Sequence, residues 1–423
     1  MNMVTEPAFK QASFTIPSTM QAWVLGDPNQ LSFADKPVPQ PGPAEMLVRI
    51  DAIAVCATDL EIIHRGPLAQ IQGGLPFNKN FTPDHEYMGP VVKLGPGVDE
   101  YRIGDRVVVE VHAGCGRCER CREGMYTSCL NYDDMNTRDT ARTASRRTAA
   151  SRNTPSTTST RSCTFPMMSD EEVTLIVTAG MAMYGLDVTA GLIAGQSVVV
   201  MGPGPIGLMD VGVAKALGAS EVILTGTRDN RLEMGRRLGA DHTINVRNED
   251  AVEKVREYTH SGAHYVLECS GAPNAVTDAA LMLRRGGRIC LAAFPSEPVP
   301  IDVAALVHNN IYLYGIRGEG KSATQRAAEL MKQKRFDAKL IHTHIFPLKD
   351  VPEALRYARE RIDDGRFPAH AARAQCATRV DAPYRWPRDR TAHASRGVHH
   401  AAGKDTSGKG DVECLMRRPR CCA

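Results

Sequence analysis

The sequence contains no long hydrophobic run and no basic stripe interleaved with aromatic residues. A membrane-spanning helix needs about 18 or more consecutive apolar residues, and no such run occurs in the 423 residues. The start of the chain has no apolar signal core behind a positive region. The formal net charge is only +3, which does not favour nucleic acid as a partner. The sequence therefore predicts a cytoplasmic protein that binds neither a membrane nor nucleic acid.

Two segments have too few large apolar residues to form a core. Residues 133–163 contain no Val, Ile, Leu, Phe, Tyr or Trp, and residues 365–423 are rich in Arg, Ala and His. Such segments cannot bury enough apolar surface to offset their loss of conformational entropy, so both are predicted to be disordered. A shifted reading frame in the gene would explain this composition, and resequencing the gene tests that hypothesis.

The twelve cysteines are not spaced like the disulfide framework of a small secreted domain. Four of them form a C-x2-C-x2-C-x7-C cluster on a Gly-rich stretch: Cys115, Cys118, Cys121 and Cys129. Four thiolates complete a tetrahedral shell around zinc and leave no position for water, which is typical of a structural site. The alternative is a set of unpaired thiols, which the close spacing disfavours.

A second set of candidate metal ligands lies upstream of the cluster. Cys56 and the adjacent pair His85 and Glu86 are separated by a stretch long enough to fold back on itself. Mixed sulfur and nitrogen ligation with a free position is what a catalytic zinc requires. A histidine alone would more often be an ordinary buried residue, but the neighbouring Glu86 and the upstream Cys56 favour metal binding.

The hydrophobic pattern divides the chain into parts. Residues 21–190 carry short β-branched runs broken by Gly and Pro, which predicts an irregular, β-rich domain containing the cysteine cluster. Residues 191–335 alternate buried-strand candidates with helical stretches, so we expect an α/β domain with a doubly wound parallel sheet. Residues 336–364 add a strand, KLIHTHIF, and a helix, and are expected to return to the first domain.

A Gly-rich turn in the α/β domain indicates a dinucleotide site. The sequence VVVMGPGPIGLM places Gly202, Gly204, Ile206 and Gly207 between a strand and a helix, where such a fold binds pyrophosphate. A lone turn of this kind is weak evidence, and a purely structural turn is the alternative.

The residues after the second strand of this domain bear on the choice of cofactor. The acid that usually holds the ribose hydroxyls is replaced by Gly226, which is followed by Thr227 and Arg228, with Arg231 one turn later. Hydroxyl and guanidinium groups can bind a 2′-phosphate, so the sequence favours NADP over NAD. Alternatively, both arginines are solvated residues at the start of a helix.

Together these motifs resemble the zinc-dependent medium-chain dehydrogenases/reductases of the alcohol dehydrogenase superfamily. The resemblance rests on VCATDLEI, DHEYMGPVVKLGPGV, the cysteine cluster, GPGPIG and FPLKDVPEALRYA, and is closest to the polyol (sorbitol-like) and threonine dehydrogenases. It implies a GroES-like catalytic domain and a Rossmann domain. It also implies a homodimer or homotetramer, and transfer of hydride between a secondary alcohol or polyol and a nicotinamide cofactor.

The resemblance also assigns roles to individual residues. Cys56 and His85 would bind the catalytic zinc, with Glu86 as a direct or a nearby alternating ligand, and Thr58 would relay the proton of the alcohol. Near Thr178, where relatives often place a third zinc ligand, this chain offers only a hydroxyl.

Two other functional readings are open. Because residues 133–163 replace strands expected in the catalytic domain, turnover could be impaired, and the chain would then be a non-catalytic, zinc-stabilised nucleotide-binding product of a frame-shifted gene. A zinc-free quinone reductase of the same superfamily is the other reading, and Cys56 and the cysteine cluster argue against it.

Overall fold

The computed structural model describes most of the residues that carry the motifs. These are residues 13–43, 45–65, 82–83, 85–131, 168–188, 190–295 and 297–362, together with the backbone of 142–143 and 384–385. All of them belong to one unit of the chain, Met1–Arg385.

Strands and helices follow the change in pattern seen in the sequence. In chain order, the described strands are β1 (Thr19–Leu25), β2 (Gln30–Pro37), β3 (Met46–Val48), β4 (Ala52–Ile53), β5 (Tyr87–Leu94), β6 (Arg106–Val108), β7 (His112–Ala113), β8 (Arg142–Thr143), β9 (Val198–Met201), β10 (Val222–Gly226), β11 (His242–Asn245), β12 (Ala263–Glu268), β13 (Leu283–Leu291), β14 (Tyr312–Gly315) and β15 (Tyr384–Arg385). The described α-helices are α1 (Ala57–Arg65), α2 (Glu119–Arg122), α3 (Asp170–Thr174), α4 (Ile176–Asp187), α5 (Pro205–Ala216), α6 (Asp229–Leu238), α7 (Ala251–Thr259), α8 (Ala275–Met282), α9 (Val303–His308), α10 (Ala323–Lys332) and α11 (Val351–Glu360).

The amino-terminal part consists of short antiparallel strands. β1 pairs with β2, and β5 pairs with β3, β4 and β6. β5 crosses the preceding chain very closely, because a Cβ atom at Gly89 would lie 1.8 Å from the carbonyl oxygen of Arg49. Only glycine permits this approach. The pairing matters for function, because β5 begins directly after His85 and Glu86 and β4 ends three residues before Cys56.

The second part is a parallel six-stranded sheet. Its strand order is β11-β10-β9-β12-β13-β14, and neighbouring strands pair in parallel throughout. The central strands are buried on both faces, which explains their continuous runs of Val, Ile and Leu. This order matches the doubly wound dinucleotide-binding fold, in which ligands bind where the strand order reverses. The predicted fold class, a β-rich part joined to a doubly wound parallel sheet, is confirmed.

One helix joins the two parts. Ten of the twelve residues of α4 are buried, which fits its nearly all-apolar sequence, because a helix that is hydrophobic all round has no solvent face. α4 belongs to a hydrophobic cluster that runs from Met88 of β5 to Leu267 of β12. The walls of the candidate site are therefore held by one continuous core.

The closing segment differs from the sequence prediction. The prediction of a strand in KLIHTHIF is wrong. Ala338–Ile341 form a 3-10 helix, and residues 342–346 are not part of a strand. The side chain of Asp337 accepts a hydrogen bond from the backbone N–H of Lys339 and so stabilises the turn. The predicted helix is present as α11. Nε1 of Trp23 donates to the carbonyl oxygen of Leu348 at 2.7 Å, so this segment lies against β1.

The segments predicted to be disordered lie largely outside the described residues. Within 133–163, the structure describes only β8, whose backbone pairs with β7. Within 365–423, it describes only β15, which pairs with β2. Disorder in the remainder, and the domain boundaries, stay predictions. Over the described part of the chain, the helices are too short or too polar to cross a membrane.

Candidate functional site

The pairing of β4 with β5 brings Cys56 next to His85. The backbone N–H of Ala54, just after β4, donates to the carbonyl oxygen of Glu86 at 2.9 Å. The chain then turns into α1 and places Sγ of Cys56 3.3 Å from Nε2 of His85. Two residues that lie 29 positions apart in sequence thus meet because one short antiparallel ladder aligns them.

Glu86 completes a set of three possible metal ligands. One ligand atom each from Cys56, His85 and Glu86 lies within 4.8 Å of the other two. Zinc bonds of about 2.3 Å to sulfur and about 2.0 Å to nitrogen place two tetrahedral ligands roughly 3.5 Å apart. The observed sulfur-to-nitrogen distance of 3.3 Å fits this geometry. The donor types also fit, because thiolate, imidazole and carboxylate are the ligands that zinc uses.

The electrostatics of this pocket indicate that a cation belongs in it. Burial raises the pKa of the Glu86 carboxyl to about 7 and that of the Cys56 thiol to about 12. Burial thus makes both groups weaker acids than they are in water. A divalent cation bound by both would supply positive charge and favour their deprotonated forms.

Asp59 is a functional residue that the sequence reasoning missed. It is 3% exposed, its Oδ1 lies 3.3 Å from Nδ1 of His85, and its Oδ2 accepts a hydrogen bond from the backbone N–H of Cys56 at 2.9 Å. Burial acts to raise the pKa of the Asp59 carboxyl, but the charge of His85 and these contacts lower it overall. Asp59 therefore holds the ring of His85 with Nε2 turned toward Cys56. The signal was present in VCATDLEI, where this acid follows Cys56 by three residues in the first turn of α1.

Two hydroxyl residues lie around the ligand set. Oγ1 of Thr178, on α4, donates to Oε2 of Glu86 at 3.5 Å. At the position where relatives were expected to have a further zinc ligand, this chain thus has Thr178, whose hydroxyl orients Glu86. Thr58 is exposed in the first turn of α1, two residues after Cys56. Its role in proton relay stays a prediction.

The four clustered cysteines converge around α2. One ligand atom from each of them lies within 4.8 Å of the other three, and Sγ of Cys118 and Cys129 are 3.8 Å apart. The backbone N–H of Cys115 donates to Sγ of Cys129, and that of Cys118 to Sγ of Cys115, both at 3.4 Å. N–H groups directed at sulfur stabilise thiolates, as a four-cysteine zinc site requires. A Cβ atom at Gly114 would lie 2.4 Å from Sγ of Cys121, so glycine is needed there.

The cysteine lobe, residues 114–131, contacts the chain that follows β14. The backbone N–H of Lys321 donates to the carbonyl oxygen of Gly124 at 2.8 Å. The carboxylate of Glu319 accepts from the backbone N–H of His112 at 3.2 Å and lies 3.5 Å from Nδ1 of the same residue. Glu319 and His112 are both buried. Sequence reasoning missed this pair, because its partners lie 207 positions apart.

The three glycines of the Gly-rich turn have distinct structural reasons. Gly202 has φ of 100°, and a Cβ atom there would lie 3.0 Å from Ser270 after β12. A Cβ atom at Gly207 would lie 2.0 Å from the carbonyl oxygen of Gly202. Gly204 precedes α5 and has no atom within 4 Å of its Cβ position. Close packing within the protein therefore requires glycine at positions 202 and 207. At Gly204, by contrast, the space beside the helix N-terminus is open, and this is where a pyrophosphate binds in such folds. Ile206 is partly buried and packs into the core beneath the turn.

The turn also explains why the usual acid is missing. A Cβ atom at Gly226, the last residue of β10, would lie 2.5 Å from the ring of Pro203. A carboxylate side chain would therefore collide with the turn. Thr227 is exposed and Arg228 is the N-cap of α6, so both lie at the carboxyl end of β10. Arg231 is only 8% exposed, with Nη1 3.5 Å from Sδ of Met234, and so it is not a solvated residue.

Replacing Asp59 by Asn tests how the candidate catalytic site holds a metal. The substitution removes the negative charge beside Nδ1 of His85, and loss of such a partner typically weakens metal binding about 10- to 100-fold. We therefore expect the Asp59→Asn variant to lose zinc to a competing chelator at a lower chelator concentration than the unmodified protein does. Asp99→Asn, at an exposed position, is the control and should behave like the unmodified protein. Equal zinc retention in both variants, with unchanged thermal melting, would contradict the role of Asp59.

The comparisons with known proteins agree with this geometry. Residues 42–148 match the family "Alcohol dehydrogenase GroES-like domain", and residues 205–333 match "Zinc-binding dehydrogenase". The sorbitol dehydrogenase of Bacillus subtilis is 30% identical over 357 residues, which are 81% of this chain and 95% of the relative. The L-threonine 3-dehydrogenase of Pyrococcus horikoshii is 35% identical over 283 residues, which are 66% of this chain and 78% of the relative.

Solved structures show the same architecture. A crystal structure of an Escherichia coli oxidoreductase/dehydrogenase of unknown specificity superposes with a TM-score of 0.73 and 25% identity, covering 82% of this chain and 97% of that one. These matches confirm the resemblance predicted from the motifs, including zinc and a nicotinamide dinucleotide as cofactors. The chain therefore belongs to the zinc-dependent medium-chain dehydrogenases/reductases, the oxidoreductases of the alcohol dehydrogenase superfamily.

Proposed function

We propose that this protein is an NADP-preferring dehydrogenase that oxidises a secondary hydroxyl group of a polyol or small alcohol. The observation that carries the proposal is the convergence of Cys56, His85 and Glu86, beside a dinucleotide fold whose Gly-rich turn is intact. Relatives named as sorbitol and threonine dehydrogenases support a substrate with a secondary hydroxyl group.

The metal would be bound by Cys56, His85 and Glu86. When bound, zinc supplies Lewis acidity that lowers the pKa of an alcohol and so favours loss of its proton. Asp59 fixes the orientation of His85, and Thr178 fixes that of Glu86. Thr58 would pass the hydroxyl proton toward solvent, because its own hydroxyl can donate and accept at once. The Gly202 turn would hold the pyrophosphate and so orient the nicotinamide that accepts the hydride.

The cofactor preference rests on the end of β10. With glycine at position 226, no carboxylate repels a 2′-phosphate, and none would fit beside Pro203. Thr227 and Arg228 then supply a hydroxyl and a guanidinium at the position of the adenosine ribose. Arg231 contributes positive charge from the first turn of α6, although its burial makes direct contact less favourable than for Arg228.

Arg228→Ala tests this preference. A charge-assisted hydrogen bond contributes about 1.5–3 kcal/mol, so the substitution should weaken NADP binding about tenfold or more while changing NAD binding little. Dissociation constants from fluorescence titration of both cofactors give the answer. Arg236→Ala, on the same helix but paired with Glu233, is the control. Equal weakening of NADP and NAD by Arg228→Ala would show that this residue does not read the phosphate.

A substrate panel tests the activity itself. Purified zinc-loaded protein should reduce NADP with at least one of sorbitol, 2,3-butanediol or related polyols, at about 1 per second or faster. Cys56→Ser should abolish turnover but leave nucleotide binding intact, because the Gly202 turn lies in the other half of the site. Bound zinc and cofactor without turnover of any alcohol would favour the non-catalytic, frame-shifted alternative instead.

A homodimer, alone or as half of a tetramer, completes the proposal. Among the described strands, β14 lies at one edge of the parallel sheet, and large apolar side chains beside it are strongly exposed: Phe294 70%, Val303 63%, Val307 72% and Tyr312 60%. An open strand edge flanked by apolar residues is suited to pairing with a second copy. The cytoplasmic location stays a prediction.

Val307→Asp tests this surface. A charge at the centre of an apolar interface should shift the protein toward monomer in sedimentation velocity at micromolar concentration, because the carboxylate would lose its hydration on association. Ile193→Asp alters a similarly exposed residue, at 64% exposure, on the loop before β9 and should leave the assembly unchanged. An unmodified protein that sediments as a monomer would contradict the proposal.

A further inference from the structure

A second cleft lies at the opposite end of the parallel sheet from the Gly-rich turn. It has a volume of about 340 Å³ and is bounded by α7, α8, the start of β13 and α9. Parallel strands bind nucleotide at their carboxyl ends, whereas this cleft lies where β12 and β13 begin. It is therefore separate from the candidate cofactor site. Its volume falls within the range of about 300–1,000 Å³ that is usual for small-molecule sites.

The backbone at this cleft turns two arginines out of the sheet. In the pairing of β12 with β13, Ala263 lies opposite Leu283, but Tyr265 lies opposite Arg288. Between these two pairs lie one residue of β12 and four residues of β13. The extra residues of β13 form a bulge, and Arg284 and Arg285 belong to it. Bulges redirect side chains away from the sheet.

Gly262 allows the neighbouring loop to close against this bulge. It has φ of 98°, and a Cβ atom there would lie 2.5 Å from the backbone nitrogen of Arg284. Any larger residue would separate the loop from the strand. The geometry of this wall is thus fixed by close backbone packing.

The cleft carries positive charge that the described residues do not neutralise. Arg256, Arg284 and Arg285 line it, and none of them forms an ion pair within the described part of the chain. Nε of Arg256 donates to the carbonyl oxygen of Leu281 at 2.9 Å, which leaves its outer nitrogens available. Asp302 is the one acid among the described residues of the lining, and it accepts a hydrogen bond from the backbone N–H of Ala305.

The charge of Arg284 also affects the neighbouring His264. Its Nε2 accepts from Nη1 of Arg284 at 2.9 Å. Burial lowers the pKa of His264, and the charges of Arg284 and Arg288 lower it further. The imidazole is therefore held neutral, and the arginine charge is left for an external anion.

The floor of the cleft is apolar. Val276, Leu281, Leu283, Ile301 and Leu306 line it, and Leu281 is 49% exposed. Val303 and Val307 project from a different face of α9, so an occupant of the cleft would not compete directly for the surface proposed to pair with a second copy. A free inorganic ion would satisfy the arginines but leave these side chains in water.

We propose that this cleft binds a small organic phosphate, with the phosphate on the three arginines and a short apolar body on the floor. Arginine suits this role because its planar, multiple donors match phosphate oxygens. A neutral polyol has no charge to pair with the arginines and no apolar body to cover the floor, so the cleft suits a ligand different from the proposed substrate.

Calorimetry with n-hexyl phosphate tests the proposal on full-length, zinc-loaded protein. The protein is first saturated with NADP so that the nucleotide site cannot contribute. One molecule of n-hexyl phosphate should bind per chain, and more tightly than inorganic phosphate. Arg285→Ala should weaken it about tenfold, as expected for loss of a charge-assisted hydrogen bond. Leu281→Ser should weaken n-hexyl phosphate but not inorganic phosphate.

The control is Arg236→Ala, which removes an exposed arginine outside the cleft. It should leave n-hexyl phosphate binding unchanged. Absence of binding would overturn the proposal. Equal affinity for hexyl and inorganic phosphate would overturn it as well, because only an adventitious ion would then bind. Equal weakening by Arg236→Ala and Arg285→Ala would have the same meaning, since it would indicate attraction to overall charge.

Discussion

The antiparallel contact between β4 and β5 is the constraint on which the candidate catalytic site depends. Backbone hydrogen bonds from Asp51 to Met88 and from Ala54 to Glu86 set the register that brings Cys56 to 3.3 Å from His85. Because side chains alternate along a strand, a one-residue slip would turn His85 and Glu86 to the wrong sides. The close crossing at Gly89 opposes such a slip, since no other residue of β5 could take that place beside the carbonyl of Arg49. The ligand set is thus defined mainly by backbone geometry.

Buried charge explains how the rest of the site is organised around that contact. One acid, Glu86, belongs to the ligand set, and two more, Asp59 and Glu319, are buried close to it. Asp59 is stabilised by His85, and Glu319 by His112. Oε2 of Glu86 accepts a hydrogen bond from Oγ1 of Thr178, and burial raises the pKa of the Glu86 carboxyl to about 7. A divalent metal ion bound there would lower this pKa, and the chain belongs to a family of zinc-binding dehydrogenases.

Much of this could be predicted from local sequence patterns. The cysteine cluster, the Gly-rich turn and the alternation of strands with helices each occupy a short stretch, and their spacing is tied directly to geometry. Contacts between distant residues could not be predicted in this way. The pairing of His112 with Glu319 and the packing of Pro203 on Gly226 depend on how whole elements dock. The prediction of a strand in KLIHTHIF was wrong because a local hydrogen bond from Lys339 to Asp337 stabilises a turn. The hydrophobic pattern alone does not reveal that turn.

Crystallographic anomalous scattering at the zinc edge, on protein purified without chelator, would show which side chains bind zinc. We expect one zinc among the sulfurs of the cysteine lobe and a second bonded to Sγ of Cys56 and Nε2 of His85. A zinc only in the lobe, in protein that oxidises alcohols with NADP, would contradict the assignment of Cys56, His85 and Glu86 as the catalytic metal site.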